Sequence, residues 1–92
     1  MSDLRDYLEK QLEDPAFRTE YESTRQEFEV ARSLIAARLD AHLTQRELAE
    51  RSGVRQSNIS RIENGNSIPT VTTLCALARG MGKRLKIVFL DP

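Results

Sequence analysis

TQRELAERSGVRQSNISRIENG, residues Thr44–Gly65, decides the fold of this chain, because it reads as two short helices joined by a tight turn. Thr44 and Glu47 have the spacing of a capping box, in which hydroxyl and carboxylate each satisfy the other residue's backbone amide. Leu48 and Ala49 then turn inward, and the small Ala49 lets the next helix cross close to the backbone. Gly53 supplies the left-handed residue that ends a helix, and Val54 anchors the turn. Counting about 100° per residue from Gln56, Ile59 falls at about 300° and Ile62 at about 240°. Gln56, Ser57, Ser60, Arg61 and Asn64 fall between 0° and about 140°, so the second helix has one apolar and one polar side. Asn64-Gly65 ends it.

The polar side carries residue types that read base edges in the major groove of DNA. Arg61 can fork onto guanine O6 and N7, Gln56 can pair with the N6/N7 edge of adenine, and Ser57 serves either. Gln45 and Asn64 are better placed to meet phosphates, and Arg46 and Arg55 add charge that sets register without reading sequence. A polar arc alone equally suits the solvated face of an ordinary helical hairpin. The cap, the small residue, the glycine turn and the spacing together favour DNA.

Thr44-Gln45-x-Glu47-Leu48-Ala49, Gly53-Val54-x-Gln56, Ile59-Ser60, Glu63-x-Gly65, Pro69 and Thr73-Leu74 resemble the Cro/C1-type (XRE) helix-turn-helix family of phage repressors. The resemblance covers residues from about 30 to 82. It implies a mostly α, lambda-repressor-like domain that binds operator DNA as a dimer. Carried over one by one, its base-contacting positions fall on Gln56, Ser57 and Arg61, and its phosphate-contacting glutamine on Gln45.

The helix before this motif supports the match. Phe28, Ala31, Leu34, Ile35, Arg38 and Leu39 share one arc, which puts Arg38 inside an apolar stripe, and Glu63 borders the buried arc of its own helix. Buried charges need partners. Arg38 and Glu63 are expected to form a structural ion pair, which the resemblance also implies.

Ninety-two residues allow one modest core. No signal peptide and no membrane-length apolar run is evident, which fits a cytoplasmic protein. The single Cys75 has no intramolecular disulfide partner; among Val71, Leu74, Leu77 and Ala78 it reads as core. His42 lacks the neighbours a metal or catalytic role needs. With no Gly-rich phosphate loop, Cys/His ligand cluster or nucleophile–base set, the chain is expected to be no enzyme and to need no cofactor or small-molecule ligand. Gly80 and Gly82 read as punctuation at a helix end.

The net charge of zero hides an asymmetry. Residues 1–29 carry nine acids and four bases, a balance of −5, and residues 30–92 carry ten bases and five acids, a balance of +5. The second part suits phosphates; the first would repel them. Asp14-Pro15 is an N-cap followed by proline at the first helical position, and a helix from Pro15 to Ala41 would be about 40 Å long. The remaining domain spans only roughly 25–30 Å, so Phe17, Tyr21, Thr24 and Phe28 partly overhang. Leu4, Leu8 and Leu12 make a short amphipathic helix, which either folds back on Phe17 and Tyr21 or waits for a partner. At the other end Arg84–Leu90, RLKIVFL, alternates like a β-strand. With no second strand in the chain, Leu85, Ile87 and Phe89 are expected to form one face of a homodimer contact.

The acidic aromatic extension (1–29), the XRE domain (30–82) and the trailing strand (83–92) together resemble the HigA-type antitoxins of toxin–antitoxin pairs, the segment LEDPAFRTEYE included. The resemblance implies a RelE/HigB-like toxin that cleaves mRNA, neutralised by direct binding, and repression of the shared operon. Some relatives place the DNA domain first, so the toxin contact on this arm is an expectation, with Leu8, Leu12, Phe17 and Tyr21 as apolar and Glu13, Asp14 and Glu20 as charged contacts. Two alternatives stand beside it: a free-standing XRE-family transcriptional regulator without a toxin, and an interaction protein that kept the fold but lost DNA binding.

Overall fold

The computed structural model describes Lys10 and residues 13–92, with residues 17–24 described as helical backbone only. Four helices follow one another among the described residues: α1 (Pro15–Asp40), α2 (Gln45–Ser52), α3 (Gln56–Glu63) and α4 (Val71–Gly80). The expected leucines 4, 8 and 12 lie outside the described residues.

Each helix starts and stops for a local reason. The Asp14 carboxylate accepts from the Ala16 amide at 3.0 Å, ahead of Pro15. Thr44 and Glu47 close their box with two bonds of 3.0 Å. Thr70 caps α4 by accepting from the Thr73 amide at 3.1 Å. Gly53, at φ 77, ends α2 by donating to the Ala49 carbonyl. The other three helices end in Schellman motifs, in which paired amide bonds satisfy the last carbonyls. Gly65 and Gly82 fill the left-handed position after α3 and α4, and His42, at φ 58, fills it after α1.

The core is one cluster of Leu34, Leu43, Leu48, Ile59, Ile62 and Leu77, with Val30, Ala41, Ala49, Val54 and Met81 packed against it. All four helices and the α1–α2 turn contribute. Gly80, expected to be punctuation, is instead a point of close approach. A Cβ there would lie 3.0 Å from Ser52 Cβ and 3.1 Å from its backbone nitrogen, so the missing side chain lets α4 seat on α2.

The stripe on α1 departs from expectation. Ala31 and Leu34 are buried, but Phe28 and Leu39 are each 59% exposed. The helix is rotated so that Arg38 faces Glu63 across the domain. Arg38 Nε donates to Glu63 Oε2 at 2.7 Å and Nη2 donates to Oε1 at 2.8 Å. Nη1 donates to the Leu43 carbonyl at 2.9 Å. The two side chains are 14% and 5% exposed, so neither charge has water to replace its partner. Burial raises the Glu63 pKa, but the hydrogen bonds from Arg38 and Gln45 and the Arg38 charge outweigh it and hold the carboxyl below its ordinary value.

The C-terminal β-strand does not form. Residues 83–92 have no regular secondary structure, and no strand occurs among the described residues. A strand needs a neighbour's amides and carbonyls, and the single chain offers none. Instead residues 83–88 lie along a groove between α1 and α4. Leu85 is half-buried there, while Ile87 and Val88 are more than half exposed and Phe89 and Leu90 almost fully.

Two outcomes are expected. Gly80→Ala should lower stability by about 1–3 kcal/mol through overpacking, against the better helix propensity of alanine, as read by urea denaturation. Glu63→Gln leaves the Arg38 charge stranded and should cost about 3–5 kcal/mol near neutral pH. Because the folded pKa of Glu63 is depressed, its contribution is complete above the ordinary glutamate range and is lost as pH falls through the folded value. Denaturation midpoints of wild type and Glu63→Gln should therefore converge on acidification below about pH 4.5.

Candidate nucleic-acid interface

Helix α3 buries Ile59 and Ile62 completely, which fixes the opposite side toward solvent. On that side Gln56, Ser57 and Arg61 are exposed, as is Asn64 just past the last turn. Among the described residues these four side chains engage in no hydrogen bond or ion pair, so their donors and acceptors are open to a ligand. Arg55 is the N-cap of α3 and makes no side-chain cap bond, which leaves its guanidinium to the same surface.

The other expected phosphate contacts sit in two different settings. Gln45 is half-buried, and its Nε2 donates to Glu63 Oε1 at 3.0 Å. The ion pair thus also positions this side chain at the start of α2, beside the end of α3. Arg46 lies one residue on and pairs with Glu50 at 3.4 Å, with both side chains more than two-thirds exposed. Such a pair contributes little and yields readily to a phosphate.

A shallow depression flanks the exposed side of α3. Arg55, Ser57 and Arg61 line it, together with Asn58 and Thr73. Sequence reasoning missed these last two. Asn58 falls at about 200° on the α3 wheel, next to Arg61, and could have been read as the edge of the polar arc. Thr73 belongs to α4, and its approach to α3 is a tertiary fact with no local signal.

The expected arm contacts separate. Glu13 and Asp14 are exposed, and Asp14 is occupied as the cap of α1. Leu8 and Leu12 lie outside the described residues, and for Phe17, Glu20 and Tyr21 the description stops at the helical backbone. Among the described residues no group of three His, Cys, Asp or Glu side chains could hold a metal ion. No described helix is long and apolar enough to cross a membrane.

Comparison with known proteins agrees with this geometry. The family described as Helix-turn-helix (HTH_3) matches residues 34–88. The chain is 35% identical over 91 residues to the protein named Antitoxin HigA1 of Mycobacterium tuberculosis, in both strain CDC 1551 and strain H37Rv. That match covers 98% of this chain and 61% of the relative, so the chain spans about three-fifths of the antitoxin's length. It is also 40% identical over 57 residues to an HTH-type transcriptional regulator of Haemophilus influenzae, covering 62% of this chain and 58% of the relative. A further HTH-type regulator, y4dL of Sinorhizobium fredii, is 42% identical over 52 residues, covering 56% of this chain and 26% of the relative. No solved structure matches. The relatives' names are those of an antitoxin and of HTH-type transcriptional regulators. With the matched span reaching from Leu34 to Val88 and two helices meeting at a left-handed glycine inside it, the chain belongs to the helix-turn-helix family.

Proposed function

We propose that this chain is an antitoxin that binds operator DNA as a dimer, represses its own operon and neutralises a RelE/HigB-like, mRNA-cleaving toxin by direct contact. One observation carries the reading. The likeness to the mycobacterial antitoxin extends over 91 residues and so includes the acidic extension, whereas the two other regulators match 57 and 52 residues.

On this reading α3 enters the major groove. Arg61, Gln56 and Ser57 read bases, while Gln45, Arg46, Arg55 and Asn64 hold the backbone on either side. Two copies are needed, with their recognition helices about one DNA turn, roughly 34 Å, apart. The exposed Ile87 and Phe89 of the tail are available for such a contact; Leu85 is half-buried on its own chain. The acidic arm complements the cationic surface of an RNA-cleaving enzyme, with Leu8, Leu12, Phe17 and Tyr21 as its apolar contacts and Glu13, Asp14 and Glu20 as its charged ones. A free-standing regulator is the second reading, favoured by the matches of 57 and 52 residues to proteins named as HTH-type transcriptional regulators.

Arg61→Ala should cost about 1–3 kcal/mol of operator binding and relax selectivity against a scrambled site, as measured by competition binding. Equal affinity for both sites in wild type and variant would remove the base-reading role. For the arm, Leu8→Asp with Leu12→Asp should abolish capture of the toxin encoded beside this gene and the rescue of growth, with operator affinity unchanged. Survival of both would favour the free-standing regulator.

A further inference from the structure

We propose that the outer face of the first half of α1 is a self-recognition surface, on which a second copy of this chain lies parallel and in register. This goes beyond the operator and toxin readings and rests on neither. The repeat is plain in the sequence. Phe17, Tyr21, Thr24 and Phe28 alternate at spacings of four, three and four, the a/d seam of a two-stranded coil. Glu20 and Glu27 lie seven residues apart on one edge of that seam, the g positions, and Arg18, Arg25 and Arg32 recur every seven on the other, the e positions.

This charge pattern selects a partner and a direction. In a parallel pair each g residue faces the e residue five positions further along the other chain. Glu20 then meets Arg25 and Glu27 meets Arg32, in both directions across the two-fold, whereas Glu13 precedes the helix and lies outside the register. An antiparallel pair would set glutamate against glutamate and arginine against arginine. The seam is thus complementary to itself in one orientation only.

The structure supplies the conditions this needs. Helix α1 is unbroken from Pro15 to Asp40, so the sequence spacing holds as a face. Phe28 is 59% exposed, and the Arg32 guanidinium lies over its ring at 5.7 Å. The next d residues, Ala31 and Arg38, are taken by the chain's own core and by Glu63. The seam therefore closes as α1 enters the domain, leaving about 27 Å of paired helix over residues 15–32. Arg25 holds Glu29 at 3.2 Å, but both are more than half exposed, and such a pair exchanges at little cost. The tail does not cover this face, since it lies against Gln26, Val30, Ser33 and Ala37 on another side of α1. A two-fold axis along the arms would also relate two recognition helices by the symmetry of a palindromic operator. Phe17 and Tyr21 belong both to this seam and to the proposed toxin contact, so a second arm and a toxin are alternatives there.

The test uses the full chain without toxin. Sedimentation equilibrium should show self-association weakened by about tenfold or more in Glu20→Arg with Glu27→Arg, and equally in Arg25→Glu with Arg32→Glu. An equimolar mixture of the two should recover the wild-type dimer, because opposite charges again face each other. Circular dichroism checks that each variant folds. As an independent measure, Thr24→Cys should oxidise to a covalent dimer through the new thiol, which meets its copy only in a parallel, in-register pair. A monomeric wild type, variants that associate as well as wild type, or a failure of Thr24→Cys to cross-link would overturn the proposal.

Discussion

The carboxylate of Glu63 is where the separate helices of this domain become one object. It accepts two bonds from Arg38 on α1 and one from Gln45 at the start of α2, and it ends α3 itself. Arg38 also reaches the Leu43 carbonyl, so the α1–α2 turn belongs to the same network. A pair this shielded adds little net stability over an apolar replacement, because both charges lose their water. Its effect is on geometry. Apolar contact between α1 and α3 would tolerate some rotation of α1, since Phe28, Ile35 and Leu39 are as greasy as Ala31 and Leu34. A bidentate fork does not, and it fixes which stripe of α1 faces inward and which faces water.

That constraint explains where sequence reading succeeds and where it fails. Helix ends were legible because they are decided within a few residues: Asp14-Pro15, Thr44 with Glu47, Gly53 and Asn64-Gly65 all act locally. The core of α2 and α3 was legible because Leu48, Ile59 and Ile62 leave no choice of face. The stripe on α1 was not, because two apolar arcs lie side by side on one helix and only a contact with α3 chooses between them. Gly80 and Thr73 fall in the same class. Each matters through a neighbour far away in sequence, Ser52 in one case and the flank of α3 in the other. The tail fails for a different reason. Its alternation describes what Arg84–Leu90 could pair with, whereas a strand exists only once something is paired, and within one chain the groove between α1 and α4 takes Leu85 instead.

The same helix also joins two regions of opposite charge. Residues 1–29 are acidic and residues 30–92 basic, by five charges each way, yet α1 runs through the boundary without a break. A flexible linker would let the acidic arm fold over the basic surface and compete with phosphates. A continuous helix of 26 residues sets the acids it carries, from Glu20 to Glu29, along one rod, and the Arg38–Glu63 fork holds that rod to the recognition helix.

Rigidity has a consequence for anything seated on the arm. A partner seated on the part of the arm from Pro15 onward is held in one orientation relative to α3, because the path between them runs along one helix and across one ion pair. Neither link is a loop that could absorb a mismatch. An occupant of the arm therefore either fits beside DNA bound at Gln56, Ser57 and Arg61 or clashes with it, and small adjustments cannot convert one outcome into the other. The size and shape of that occupant, together with the spacing of the operator half-sites, then decide whether arm and recognition helix are filled together or in turn.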